Sequence, residues 1–442
     1  MRSLVGGGIW MVAIIACARA PGLTKRESEP PAEPKVVSVP VKGEGQETAP
    51  RVGGASEAPV ETAKANVPEF QPAFPGQTRA PAIHTKAKVL VTELAKELDL
   101  PWAIAFLPDG HLLLTEKPTG KLYHIGPAGL KSQPTSGVPL VDGRDQGGLL
   151  DVEIDPNYPQ NQLIYLSYYE PREGGNGLSV LRARFVPGAP PKLEETKVVF
   201  RMMPTMASSK HAGGRLVFAK DGNLFITLGE RSVPEGRVQA RDPGSHLGKI
   251  VRIRPDGSVP EDNPFVGKPG AKPEIWSLGH RNVLGADLDA QGRLWIAEMG
   301  PRGGDELNLA LRGKDYGWPT IGYGEEYSGK PIHERTQAPG LEQPVYYWDP
   351  VISPGALEIY SGDLFPEWKG SFLIAGLSSQ ALVRLEVKGD RVVGEERLLT
   401  ERGERFREVV QGPEGAVYLL TDGGKLLKLT PQKPDAKAEL VQ

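Results

Sequence analysis

The chain has 442 residues, 39% of them apolar, and its formal net charge of -3 gives no electrostatic case for nucleic acid or another polyanion as a partner. Its one cysteine, Cys17, excludes an intramolecular disulfide and a cysteine-built zinc centre. Glycine (54) and proline (42) both exceed average usage, so many turns and one poorly folding segment are expected.

The first element in chain order is a leader. Arg2 supplies a positive start, Leu4–Ala16 is mostly apolar and small, and the run is too short for a good transmembrane span. Ile14-Ile15-Ala16-Cys17 resembles the bacterial lipobox, whose cysteine is lipidated and becomes the mature N-terminus, so residues 1–17 are expected to be a lipoprotein signal peptide. An ordinary cleaved secretory signal with an incidental cysteine is the alternative. Ala18 rather than Asp follows the cysteine, which by resemblance to lipoprotein sorting implies the periplasmic face of the outer membrane. Residues 18–85 include "ESEPPAEPKVVSVPVKGEGQETAP", which has too little apolar surface to offset its ordering entropy. A disordered tether is expected there, then a folded domain over 86–432 and a frayed polar tail over 433–442.

Within the folded region one phrase recurs. "LPDGHLLLTE" (Leu107–Glu116), "AKDGNLFITL" (Ala219–Leu228), "DAQGRLWIAE" (Asp289–Glu298) and "GPEGAVYLLT" (Gly412–Thr421) each place glycine fourth in a polar turn, then a β-favouring run. Glycine suits a positive φ at such a turn, and the run suits a strand buried on both faces. "NQLIYLSYY" (Asn161–Tyr169) and "KGSFLIAGL" (Lys369–Leu377) are weaker echoes. Six self-similar sheet units predict an all-β, six-bladed β-propeller, with ligands over the central channel. Tandem β-sandwiches would not explain one recurring turn-strand phrase.

"LPWAIAFLPDG", "GGLLDVEIDPNY", "HAGGRLVF", "LGKIVRIRPDGSVPEDNPF", "EIWSLGHRN", "GPRGGDELN" and "DYGWP" follow in order along the chain. Together they resemble the soluble glucose/sorbosone dehydrogenase family, the aldose sugar dehydrogenases that use pyrroloquinoline quinone (PQQ) and calcium. The resemblance covers nearly all of residues 86–432, and the family's fold is also a six-bladed propeller. It implies that aldose sugars are oxidised at C1 to lactones, with a quinone or soluble carrier accepting the electrons.

Neutral imidazole is the commonest side chain for taking a proton near neutral pH, which draws attention to His211. Alone, such a histidine is more often structural. The resemblance makes it the base that removes the anomeric hydroxyl proton, with Glu230 orienting it. Arg281 would stabilise charge developing on the quinone oxygens, and Asn282 shares its place in the family's Arg-Asn pair. Gln146 would bond the sugar or the histidine region, while Arg405 and Arg407 would hold cofactor carboxylates as forks. Calcium wants six to eight oxygens, and carbonyls serve where the chain is bent. The resemblance assigns the carbonyls of Gly300 and Pro301 to the calcium that also ligates PQQ, and those about Glu306 and Tyr316 to a second one. Asp305 would order this loop. Two positions depart from the family: Ser378 stands where a lysine often pairs with PQQ, and Met299 where Gln or His often precedes the Gly-Pro pair. The rival reading is a non-catalytic propeller lipoprotein binding carbohydrate or protein. A calcium-dependent lactonase, which wants side-chain carboxylates and Asn around one metal, is the third.

Overall fold

Each recurring phrase folds into the same hairpin. In the first, Leu107 N donates to His111 O at 2.8 Å and Gly110 N to Leu107 O at 3.0 Å. Matching pairs form at Ala219 with Asn223, Asp289 with Arg293, and Gly412 with Ala416. Glycines 110, 222, 292 and 415 lie at φ between 79° and 84°, a conformation that costs glycine least. The strand that follows is buried throughout: Leu112–Glu116, Leu224–Thr227, Leu294–Glu298 and Val417–Thr421 are each the second strand of a sheet. The weaker echoes give the second strands of the two remaining sheets, Leu163–Arg172 and Phe372–Gly376.

The computed structural model describes residues 57–126 and 129–432. Six antiparallel sheets follow one another, five of four strands and one of three, in the six-bladed β-propeller the repeats predict. The first strands of the blades are Pro101–Phe106, Leu149–Ile154, Leu216–Phe218, Val283–Leu288, Pro354–Ile359 and Phe406–Gln411. Each touches the first strand of the next blade, so together they form the inner ring. Arg215 enters that ring and donates through Nη1 to Asp151 at 3.2 Å and to Glu408 at 2.7 Å, tying three blades together. The last blade is completed from the other end of the domain. Val89–Ala95 pairs antiparallel with Leu426–Pro431, Leu90 opposite Thr430 and Thr92 opposite Lys428.

The lipidation assigned to Cys17, the signal peptide and the tail over 433–442 all lie outside the described residues. The tether assignment needs correction from residue 57 onward, because residues 57–85 pack against the propeller. Val67 and Ala80 are buried, as is Gln77. Asp349 accepts from Asn66 N and Asn66 Nδ2, both at 2.8 Å, and from Val67 N at 2.9 Å. Gln77 Nε2 donates to Pro344 O at 2.8 Å, and Arg79 donates to Asp349 O at 2.9 Å. Composition misjudged this strap because polar contacts with the fourth blade and the segments around it hold it, supplemented by only a little apolar burial. Asp349→Ala leaves the buried Val67 N–H unpaired, which costs about 1–3 kcal/mol. The expected result is a lower melting temperature and faster protease cleavage within 57–85, checked by calorimetry and limited proteolysis.

Candidate active site

Because the first strands all begin at one end of the ring, the loops that precede them gather there. Gln146 lies just before the second blade, His211 before the third, Asn282 before the fourth and Arg405 before the sixth. The structure brings Gln146, Asn282, Arg405 and Arg407 into one cleft of about 330 Å³, together with Trp102, Tyr169 and Met299. That is the low end of the size range for small-molecule sites.

His211 directly precedes Ala212 and Gly213, which line this cleft, and stands on a loop built to hold it. Its backbone sits at φ 45°, a strained value for a non-glycine residue. Gln146 Oε1 accepts from His211 N at 2.9 Å, the Tyr169 hydroxyl accepts from Ala212 N at 3.0 Å, and Asn282 Oδ1 accepts from Gly213 N at 3.2 Å. Arg231, fully buried over the Tyr169 ring, donates to the carbonyls of Ser208 and Lys210. Gly229 is required by this packing, since a Cβ there would meet His211 O at 2.3 Å.

The His211 side chain is buried, and its Nδ1 lies 2.9 Å from Glu230 Oε1. Glu230 is fully buried, and its other oxygen accepts from Ser232 N at 3.0 Å. This fixes the carboxylate, which in turn holds the proton on Nδ1 and leaves Nε2 free to accept one. Desolvation, then the positive charge of Arg281, lowers the imidazole pKa to about 4 despite the opposing Glu230. The ring is therefore neutral at ordinary pH, the state a general base needs.

Arg281 donates through Nη1 to Met299 O at 2.8 Å and Gly300 O at 2.7 Å. The carbonyl assigned to calcium is thus already one lone pair engaged, with the other remaining. The loop turns back tightly here, and a Cβ at Gly300 would meet Gly304 O at 2.3 Å. Asp305 orders it as expected, accepting from Gly300 N at 2.7 Å and Ser353 N at 2.6 Å.

Gly300, Pro301, Glu306 and Tyr316 line a second, smaller cavity of about 20 Å³, with Glu298 on its wall. Glu298 and Glu306 are direct cross-strand partners, a repulsive arrangement for like charges. Asn308 Nδ2 bridges them, at 3.1 Å to Glu298 and 3.0 Å to Glu306. The Asn308 Oδ1 acceptor is buried without a partner. Desolvation, then Glu298, raises the Glu306 pKa to about 8. Two facing carboxylates at a space large enough for one ion are a donor set suited to a hard divalent cation, and the unpartnered Asn308 Oδ1 lies on the same strand as Glu306.

Sequence reasoning missed several members. Glu298 and Asn308 sit inside the "EMGPRGGDELN" stretch, and Arg231 directly follows Glu230. Lys117 and Asp422 also line the cleft. Asp422 accepts from Arg405 Nε and Arg407 Nε, both at 3.0 Å, and so pins the two arginines.

The profile of the family described as Glucose / Sorbosone dehydrogenase matches residues 98–428. The chain is 41% identical over 351 residues to the aldose sugar dehydrogenase YliI of Escherichia coli, covering 78% of this chain and 94% of that one. The crystal structure of the soluble aldose sugar dehydrogenase from Escherichia coli in the apo-form superposes with a TM-score of 0.74 at 42% identity, over 78% of this chain and all of that one (100%). The PQQ-bound form of aldose sugar dehydrogenase from Streptomyces coelicolor gives a TM-score of 0.65 at 28% identity, over 79% of this chain and 100% of that one.

Proposed function

Because the chain belongs to the glucose/sorbosone dehydrogenase family, we propose that this sugar dehydrogenase oxidises aldoses at C1 to lactones, using PQQ and Ca²⁺ held at the cleft. The observation that carries this reading is the His211–Glu230 pair, 2.9 Å apart, beside a cleft that gathers four of the expected cofactor-binding residues. The quinone, when bound, accepts a hydride, and the ion polarises its carbonyl as a Lewis acid.

The chain's own residues divide the remaining work. His211 Nε2 takes the anomeric hydroxyl proton as the C1 hydride departs, and the product is the lactone. Glu230 holds the ring's tautomer and stabilises the imidazolium that forms. Arg281 places positive charge near the reducing centre. Arg405 and Arg407, oriented by Asp422, offer forks to carboxylates. The Gly300–Pro301 turn, Glu298, Glu306 and Tyr316 wall one small cavity and hold a single cation there.

The electrons pass to a quinone or soluble carrier. The Cys17 motif supports lipid anchoring at the periplasmic face of the outer membrane. Ser378, exposed at the cleft rim, favours the second reading, a carbohydrate- or protein-binding propeller without oxidation. Reconstitution separates the two. Purified protein with PQQ and Ca²⁺ is expected to reduce a dye with glucose or another aldose. No turnover and no retained quinone absorbance would leave only the binding module.

A further inference from the structure

The charges around the cleft do not balance, and the surplus falls on one side chain. Arg405 and Arg407 share Asp422. Asp145 turns outward, accepting from Ser209 Oγ at 3.2 Å and lying 3.8 Å from Lys210 Nζ. Lys117 lines the same cleft, and its Nζ donates to the backbone carbonyl of Asp145 at 2.9 Å. Among the described residues no carboxylate lies within ion-pair distance of it. An ammonium has three donors, and here a neutral carbonyl takes one.

Burial costs such a group, and burial first, then Arg407, lower the Lys117 pKa below the ordinary lysine value against the opposing charges of Asp422 and Asp145, neither of them close enough for an ion pair. A partly buried cation beside another cation, with no carboxylate in direct ion-pair contact, marks a place where an anion binds. Lys117 directly follows the hairpin strand Leu112–Glu116 of the first blade, and its backbone is held on both sides, Lys117 N donating to Leu100 O at 3.2 Å and Lys117 O accepting from Leu149 N at 2.9 Å. The opposite rim, at Leu377 and Ser378, adds no cation beyond Arg405: Leu377 O accepts from Arg405 Nη1 at 3.3 Å, and Ser378 Oγ donates to Val351 O at 3.1 Å.

We propose that Lys117 is a cofactor-binding residue, the third cationic contact to the carboxylates of PQQ, supplied from the first blade. This rests on the reading of the cleft as a quinone site. The ligand class it recognises is a planar polycarboxylate, gripped by Arg405 and Arg407 from one blade and by Lys117 from another.

Titration of the cofactor-free protein with PQQ in excess Ca²⁺, followed by calorimetry, tests it without reference to turnover. Lys117→Gln is expected to weaken binding about ten-fold or more, the loss of one charge-assisted hydrogen bond. Lys117→Arg, which keeps the charge, is expected to stay within about three-fold of the native protein. Native binding in Lys117→Gln overturns the proposal. Equal weakening in both variants also overturns it, since it assigns Lys117 to holding the Asp145 loop. Failure of the native protein to bind PQQ at all is a different result, and it overturns the cofactor reading itself.

Discussion

His211→Ala is expected to slow turnover by about 10²–10⁴-fold while leaving PQQ binding largely intact. The asymmetry follows from the geometry. The imidazole meets Glu230 on one side and leaves Nε2 for substrate, while the cofactor-binding residues come from other loops. Steady-state dye reduction and cofactor titration measure the two quantities separately. Unchanged turnover would remove His211 as the base.

The same side chain carries a pH signature in the cofactor-free protein. Its folded pKa, about 4, lies below the unfolded value of 6.5. Between those values the unfolded chain binds more protons, so stability rises with pH through this window and is lost as pH falls. The native protein's melting temperature should therefore drop more steeply from pH 6.5 to 4 than that of His211→Ala.

Removing the proposed cation is expected to be the second large perturbation. Without a cation, Glu298 still has His280 Nδ1 at 3.1 Å and accepts from Arg281 N at 2.8 Å, whereas the Glu306 side chain facing it is relieved only by a proton and by the Asn308 amide. A bound ion at about 100 times its dissociation constant adds about 2.7 kcal/mol of stability. Chelation is expected to lower the melting temperature by several degrees, with Ca²⁺ restoring it. Protons compete with the metal for Glu306, so the Ca²⁺ effect should grow from pH 6 to pH 8. Glu306→Gln should lose most of the response. A melting temperature indifferent to chelator would exclude this cavity as a cation site.

The blades were legible because a backbone demand wrote them into the chain. Glycine at a fixed place in the hairpin turn, followed by a run with no polar face, marks the second strand in all four strong repeats. The cleft was not legible in that way. His211, Arg281 and Arg405 are far apart in sequence, and a lone His or Arg in a loop has no period; only resemblance to a family joined them. The Glu298–Glu306 repulsion needed strand register, which no composition reveals. The strap over residues 57–85 was misjudged because Asp349 and Pro344, its anchors, lie hundreds of residues away. Lys117 is illegible for a plainer reason: a lysine after a strand is ordinary until its lack of an ion-pair partner in the cleft is seen.

The last blade joins Val89–Ala95 to Leu426–Pro431, so the two ends of the domain are neighbours in one sheet. A growing chain cannot shut this ring until nearly all of it has left the ribosome. The early strand must wait, its edge unpaired and prone to stray association, for a partner made last. Once shut, the sheet carries the early strand as its outer edge, and losing that strand would bare the flank of Leu426–Pro431.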